Sequence, residues 1–160
     1  MMNVETNSVG RALALAIAIE QHNGLLFRQW ANRFLTYDQN VSQLLLDLAN
    51  EEHDHEKILS QMFQDRYGTQ VPSVMQPKEM KSYLEGLENI KEHFFVVNLM
   101  MAKTLLKTVL EIEQYTRKFY ADLLNSTSDD ELRAIYQRLY KFEQEHEQVL
   151  QRRIGLETLH

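Results

Sequence analysis

The chain has 160 residues, of which 44% are apolar and 25% charged, and these values fit one globular domain with a buried core. Its net charge of −6 and its lack of Lys/Arg blocks argue against a nucleic-acid-binding protein, and the absence of cysteine excludes disulfides and thiolate metal sites. Only 2 prolines and 5 glycines interrupt long runs of helix-forming residues, so the composition predicts an all-α fold.

Two helices are predicted in the first half of the chain. Apolar residues at helical spacing predict helix 1 over Ser8–Leu35 and helix 2 over Val41–Arg66, with Gly68 as a C-terminal stop. The apolar run 12–19 has the length of a signal-peptide core, but Glu5 precedes it and the run is too short to span a membrane. We therefore expect neither a signal peptide nor a membrane anchor.

A long crossover is predicted between the two halves, over residues 67–98. It contains both prolines, and the second of them suits the first turn of a short helix over Pro77–Asn89. Helix 3 is predicted over Leu99–Asn125. Since a helix of about 25 residues is about 37 Å long, a connection of this length can run along a whole bundle.

Helix 4 is predicted to begin with a capping box, in which Ser128 caps the helix and Glu131 reaches back. It is predicted to end near Gly155. The short links between helices 1 and 2 and between helices 3 and 4 predict two antiparallel hairpins. The chain is thus expected to form one domain over residues 1–160, with its helical core over residues 8–154.

Two short motifs occur twice, in the same order, at offsets of 93 and 91 residues. This repetition indicates two related hairpins. The motifs are Ile19-Glu20-Gln21, which recurs as Ile112-Glu113-Gln114, and Glu52-x-x-His55-Glu56, which recurs as Glu143-x-x-His146-Glu147.

Each predicted helix places a glutamate in the middle of its apolar stripe. Buried carboxylates are costly without a partner, and no Lys or Arg occupies a mid-stripe position to pair with them. Two divalent cations would neutralise four such carboxylates, and neutral imidazoles would complete the coordination. One glutamate from each of two helices plus Glu-x-x-His from each of the other two is a known two-metal pattern of helical bundles. The candidate metal ligands are Glu20, Glu52, His55, Glu113, Glu143 and His146.

Each candidate ligand also has an ordinary explanation that involves no metal. A single Glu-x-x-His motif is a weak signal, because glutamate is common on solvated helix faces. Glu111 competes with Glu113 for the core position of helix 3, although it lies off the stripe. The combination of six residues of the right types on four helices favours the metal site.

With these residues the chain resembles the rubrerythrin-type, di-iron branch of the ferritin-like family, over about residues 10–150. The resemblance implies a ferritin-like antiparallel four-helix bundle with one long crossover between helices 2 and 3, and a di-iron site that reacts with peroxide or dioxygen. It also implies that Glu52 and Glu143 bridge the two metals. Glu20 and Glu113 are then terminal ligands, each with one histidine on its own metal.

The sequence departs from that family in several places. Thr116 stands where rubrerythrins carry a second glutamate on helix 3, and the chain has no cysteines for a rubredoxin-like module. The iron nearest Thr116 is therefore expected to keep its histidine in both redox states. His53 stands where bacterioferritins have their haem-binding methionine, so no haem is expected. Bacterioferritins also have a short fifth helix that helps to close their cage. We expect no such helix after helix 4, so a 24-subunit cage is not expected either.

The favoured function is that of a di-iron oxidoreductase, acting on peroxide or dioxygen with electrons from an external donor. The alternatives are iron oxidation without a cage, a di-manganese site on the same ligands, and a metal-free helical interaction module. We expect no catalytic residue beyond the ligands, no further cofactor, no nucleic-acid or membrane partner and a cytoplasmic location. A homodimer is expected through a second apolar stripe on helix 1 and the stretch 94–101. The stripe consists of Leu15, Ile19, Leu26 and Trp30.

Other residues have two readings each. Glu51 either orients a ligand histidine or is solvated, and Tyr120 either acts near the metals or packs in the core. The remaining histidines are expected at the surface, and the methionines are expected to fill the core or an interface. These histidines are His22, His53, His93 and His160.

Overall fold

A computed structural model describes residues 8–71 and 100–158, which form four α-helices and no strand. The helices are α1 (Ser8–Phe34), α2 (Gln39–Tyr67), α3 (Met100–Ser126) and α4 (Asp130–Thr158). The all-α prediction is confirmed, and α1, α2 and α3 lie within two residues of their predicted bounds. The predicted helix at 77–89 and nearly all of the crossover lie outside the described residues.

Helix α2 is bounded by two local signals. The side chain of Asp38 accepts hydrogen bonds from the backbone N–H groups of Asn40 and Val41, at 3.0 and 3.1 Å, so Asp38 is the N-cap. Gly68 has a φ of 67° and donates its N–H to the Gln64 carbonyl at 2.8 Å. This left-handed conformation favours glycine, so the predicted stop at Gly68 is confirmed.

The predicted cap of α4 is wrong by one residue. The helix begins at Asp130, and the N-cap is Asp129, whose carboxylate accepts the N–H of Leu132 at 3.0 Å. Ser128 precedes it. Three consecutive good capping residues leave the sequence ambiguous. The turn is held by the Arg133 guanidinium, which donates to the carbonyl oxygens of Leu124 and Thr127.

The predicted end of α4 is also wrong. The helix passes through Gly155 and continues to Thr158. Gly155 does not adopt a positive φ, and an added Cβ there would meet nothing within 4 Å. Glycine ends a helix when it takes the left-handed conformation, and Gly155 does not take it.

The helices divide into two compact units, and the first comprises described residues 8–29 and 46–71. Within it the two helix segments run antiparallel, because residue numbers rise along α1 as those of its α2 neighbours fall. The guanidinium of Arg28 donates to Asn50 Oδ1 at 3.1 Å, and Gly10 lies against Tyr67. Between these contacts, Gly24 lies against Glu52.

The second unit comprises described residues 30–45 and 100–158, and so includes the α1–α2 turn and the α3–α4 hairpin. Helices α3 and α4 pack along each other in antiparallel directions. The Asp38 carboxylate lies 3.7 Å from the Arg153 guanidinium, which links the turn to α4. The prediction of one domain over residues 1–160 is not tested by this division and stays a prediction.

The predicted apolar stripe of α1 is confirmed. On α1, every residue of the stripe is buried, and its charged member, Glu20, is fully buried. The other members are Leu13, Ile17, Gly24, Phe27, Ala31 and Phe34.

The second apolar stripe of α1 is largely buried within the single chain. Ile19, Leu26 and Trp30 are 1%, 4% and 0% exposed in the single chain, and Leu15 is half-buried. A homodimer through this stripe therefore loses its main argument. The homodimer itself stays a prediction, and light scattering at micromolar concentration tests it. Among the described helices, none is both long and apolar enough to cross a membrane.

Candidate metal centre

The first unit brings three of the predicted ligands together. Glu20 on α1 and Glu52 on α2 are 0% exposed, and His55, one helical turn after Glu52, is 3% exposed. Each of the three offers a ligand atom within 4.8 Å of the others. His55 Nδ1 lies 3.4 Å from Glu20 Oε2. We call these three residues the first triad.

The second unit repeats the arrangement. Glu113 on α3 and Glu143 on α4 are 0% exposed and His146 is 4% exposed, again with ligand atoms within 4.8 Å of one another. His146 Nδ1 lies 3.2 Å from Glu113 Oε2 and 3.7 Å from Glu143 Oε2. These three residues form the second triad. All six predicted ligands thus lie in two groups of the same composition.

The donor set of each triad fits a divalent cation. Two carboxylates give a charge of −2, and neutral imidazole is a ligand for iron, zinc and other transition metals. This buried charge is costly without a cation, since burial of an unpaired carboxylate costs on the order of several kcal/mol. A mixed oxygen and nitrogen set without sulfur suits iron or manganese better than copper(I) or a structural zinc.

The predicted ligand of helix α3, Glu113, is buried. Glu113 is fully buried, whereas its rival Glu111 is exposed. Thr116, one turn after Glu113, is also fully buried, and its hydroxyl donates to the Ile112 carbonyl at 2.9 Å. The hydroxyl is thus bound to its own helix. The structure thus supports the prediction that Glu113, and not Glu111, occupies the core position of this helix.

The residues with two readings are now placed. Glu51 is exposed, which fits the solvated alternative. Tyr120 is fully buried, and its ring centroid lies 6.0 Å from that of Tyr136, so it packs in the α3–α4 interface. His53 is exposed as predicted and lies 3.4 Å from Glu56. His22 is half-buried with its Nε2 atom buried, so its predicted surface position is right only in part.

One buried charged group was missed by the sequence reasoning. Glu147 follows His146 and is only 7% exposed. Its Oε2 atom lies 2.5 Å from Nε of Arg117. Hydrogen bonds from Arg117 to Tyr140 and to Glu147 raise the pKa of the Arg117 guanidinium above its ordinary value. The signal was available, because Glu147 is part of the repeated motif and lies one turn after Glu143.

Comparison with known proteins gave a family match and a structural match. The family model described as rubrerythrin matches residues 11–154, which is most of the chain. A hypothetical protein from Pyrococcus furiosus has a similar structure, with a TM-score of 0.73 and 18% sequence identity, over 99% of this chain and 97% of that chain. The search of curated proteins gave no significant match. The fold is therefore the expected all-α, ferritin-like four-helix bundle.

Proposed function

This chain belongs to the rubrerythrin family, and from that premise we propose that its two triads together hold one pair of iron ions. We propose further that the protein is a di-iron oxidoreductase that acts on peroxide or dioxygen. One observation supports this above the others: two triads of the same composition are buried in the chain, each with its ligand atoms within 4.8 Å. A helical interaction module without metal has no need of six buried polar side chains in this pattern.

Each triad is assigned to one iron. Glu20 and His55 would hold the first, and Glu113 and His146 the second, while Glu52 and Glu143 would contribute to both, the role that the glutamate of each Glu-x-x-His motif typically has in the family. When bound, the two ions would supply the electron pair that reduction of peroxide requires, and an external donor would restore it.

The chain's own residues define the conditions for this chemistry. Four carboxylates provide a charge that matches two divalent ions, and their burial keeps bulk water away from the reacting oxygen atoms. His55 and His146 must be neutral to donate a lone pair, so acid should release the metals. Neither triad contains a cysteine, so the ligands themselves resist oxidation by peroxide.

Iron oxidation without a storage cage is the second candidate function. Thr116 favours it, because this residue replaces the extra glutamate of peroxide-reducing rubrerythrins and its hydroxyl is bound to the Ile112 carbonyl. A di-manganese pair could use the same ligands. The homodimer and the cytoplasmic location remain predictions beside this proposal.

Metal analysis of the full chain, purified from its native host, tests the proposal directly. We expect two iron ions per chain, and two in Glu111→Gln, which changes an exposed residue of the same helix. Glu113→Gln should hold fewer, because a neutral amide is a weaker ligand than a carboxylate. Metal-free native protein would contradict the proposal, and manganese would select the alternative metal. Rates of peroxide reduction and of ferrous oxidation by dioxygen, measured on the same preparation, separate the two candidate reactions.

A further inference from the structure

The ion pair between Arg117 and Glu147 joins α3 to α4. Its oxygen and nitrogen atoms are 2.5 Å apart, and the Glu147 side chain is 9% exposed, against 35% for Arg117. Tyr140, seven residues before Glu147 on α4, is a second hydrogen-bond partner of the same guanidinium. A charge-assisted contact to a nearly buried carboxylate is stronger than a surface ion pair.

The pair lies beside the second triad along both helices. Arg117 comes one turn after Glu113, and Glu147 comes directly after His146. In this antiparallel hairpin Glu113 faces His146, so the Arg117 side chain reaches back toward the level of that contact. Any sliding of α3 along α4 would separate Arg117 from Glu147 and Glu113 from His146 together. The ion pair thus fixes the spacing of two metal ligands.

The positions beside the first triad that correspond to Arg117 and Glu147 hold a different pair of residues. At the repeat offset of 93 residues, Gly24 corresponds to Arg117, and glycine has no side chain to reach α2. Glu56 corresponds to Glu147, but it lies 3.4 Å from His53 on the same helix and is half-buried. The Arg28–Asn50 hydrogen bond does join α1 to α2, but it is exposed.

From this difference we infer that Arg117 and Glu147 are positioning residues for the second triad, so that the chain binds its first metal ion at Glu113, Glu143 and His146 and its second at the first triad. The inference rests on the proposed function, because it requires that both triads bind metal. Ligands held in place by surrounding contacts lose less conformational freedom on binding, and this preorganisation raises affinity. The two metal positions therefore differ in affinity although their ligands are the same.

Titration of the metal-free full chain with Co²⁺ tests the inferred order of metal binding. Visible absorption and calorimetry monitor the titration. The wild-type protein should bind two ions in two steps, the first at least about 10-fold tighter. His146→Ala should remove the tight step, and His55→Ala should remove the weak one. Equal affinities, or loss of the tight step in His55→Ala, would overturn the inference while leaving the proposed function in place. Fewer than two ions in the wild-type protein would instead contradict the proposed function, and the inference with it.

Variants of the ion pair complete the test. Arg117→Ala should weaken the tight step about 10-fold and leave the weak step unchanged, and Arg117→Lys should recover part of the loss. Arg138→Ala removes an exposed arginine of α4 and serves as the control, with both steps unchanged. The double variant Arg117→Met/Glu147→Leu avoids an unpaired buried charge, so it should fold and still bind the first ion more weakly. A tight step of wild-type affinity in that folded double variant would contradict the positioning role.

Discussion

The hydroxyl of Ser42, in the first turn of α2, donates a buried hydrogen bond of 2.6 Å to the carbonyl oxygen of Ala31, in the last turn of α1. The last four carbonyls of a helix have no partner within it, and Ser42 supplies one. Ser42→Ala should therefore lower the free energy of unfolding by about 1–2 kcal/mol. Urea denaturation measures this. Ser60→Ala, at a half-buried position within α2, is the control and should change stability by less than about 0.5 kcal/mol.

Two glycines should respond oppositely to the same substitution. Gly155→Ala should raise the free energy of unfolding by about 0.5–1 kcal/mol, because alanine favours the helix and nothing lies within 4 Å of the new Cβ. A Cβ on Gly10 would lie 2.9 Å from the hydroxyl oxygen of the buried Tyr67, so the ring must move and Gly10→Ala should lower stability. Thermal unfolding of both variants measures this, and a gain at Gly10 would show that Tyr67 moves freely.

Removal of the metals should lower the melting temperature at neutral pH. Bound metal stabilises the native state by mass action, and its removal leaves buried carboxylates without a cation. For a chain of this size we expect a decrease of at least about 5 °C. Scanning calorimetry before and after chelation measures it. The same chelation should have a smaller effect on Glu113→Gln, and an unchanged melting temperature after verified metal removal would count against the buried two-metal site.

Thr116 offers a way to change the reaction. If the proposed function holds, Thr116→Glu should increase the ratio of the peroxide rate to the dioxygen rate, because it restores the second helix-3 carboxylate that rubrerythrins carry. Thr116→Gln is the control, because glutamine has nearly the size of glutamate but no charge. It separates the effect of the charge from that of a larger side chain at a fully buried position. Steady-state rates with each oxidant give the ratio. If both variants change the ratio equally, crowding is the cause and the carboxylate is not.

The sequence predicted the polar core better than the helix ends. Glu113 and Glu143 could be found because a carboxylate in an apolar stripe conflicts with burial, and such conflicts mark functional positions. The cap of α4 could not be chosen, because Ser128 and Asp129 are both good caps. The structure shows that the Asp129 carboxylate accepts the Leu132 N–H.

Two other features have tertiary causes. The burial of Leu26 and Trp30 within the single chain could not be predicted, since helical periodicity shows that a face is apolar but not what covers it. The partnership of Arg117 with Glu147 joins residues on different helices, and no spacing rule for a single helix reveals such a pair.

The contacts of Arg133 also bear on the order of folding. This side chain closes the α3–α4 turn through carbonyls only nine and six residues away, and short loops cost little entropy to close. The α3–α4 hairpin should therefore form early, while closure of the much longer segment between α2 and α3 is slower. In pulsed hydrogen exchange during refolding, amides of residues 112–146 should gain protection before those of residues 13–31. Simultaneous protection of both segments would indicate that the whole bundle condenses in one step.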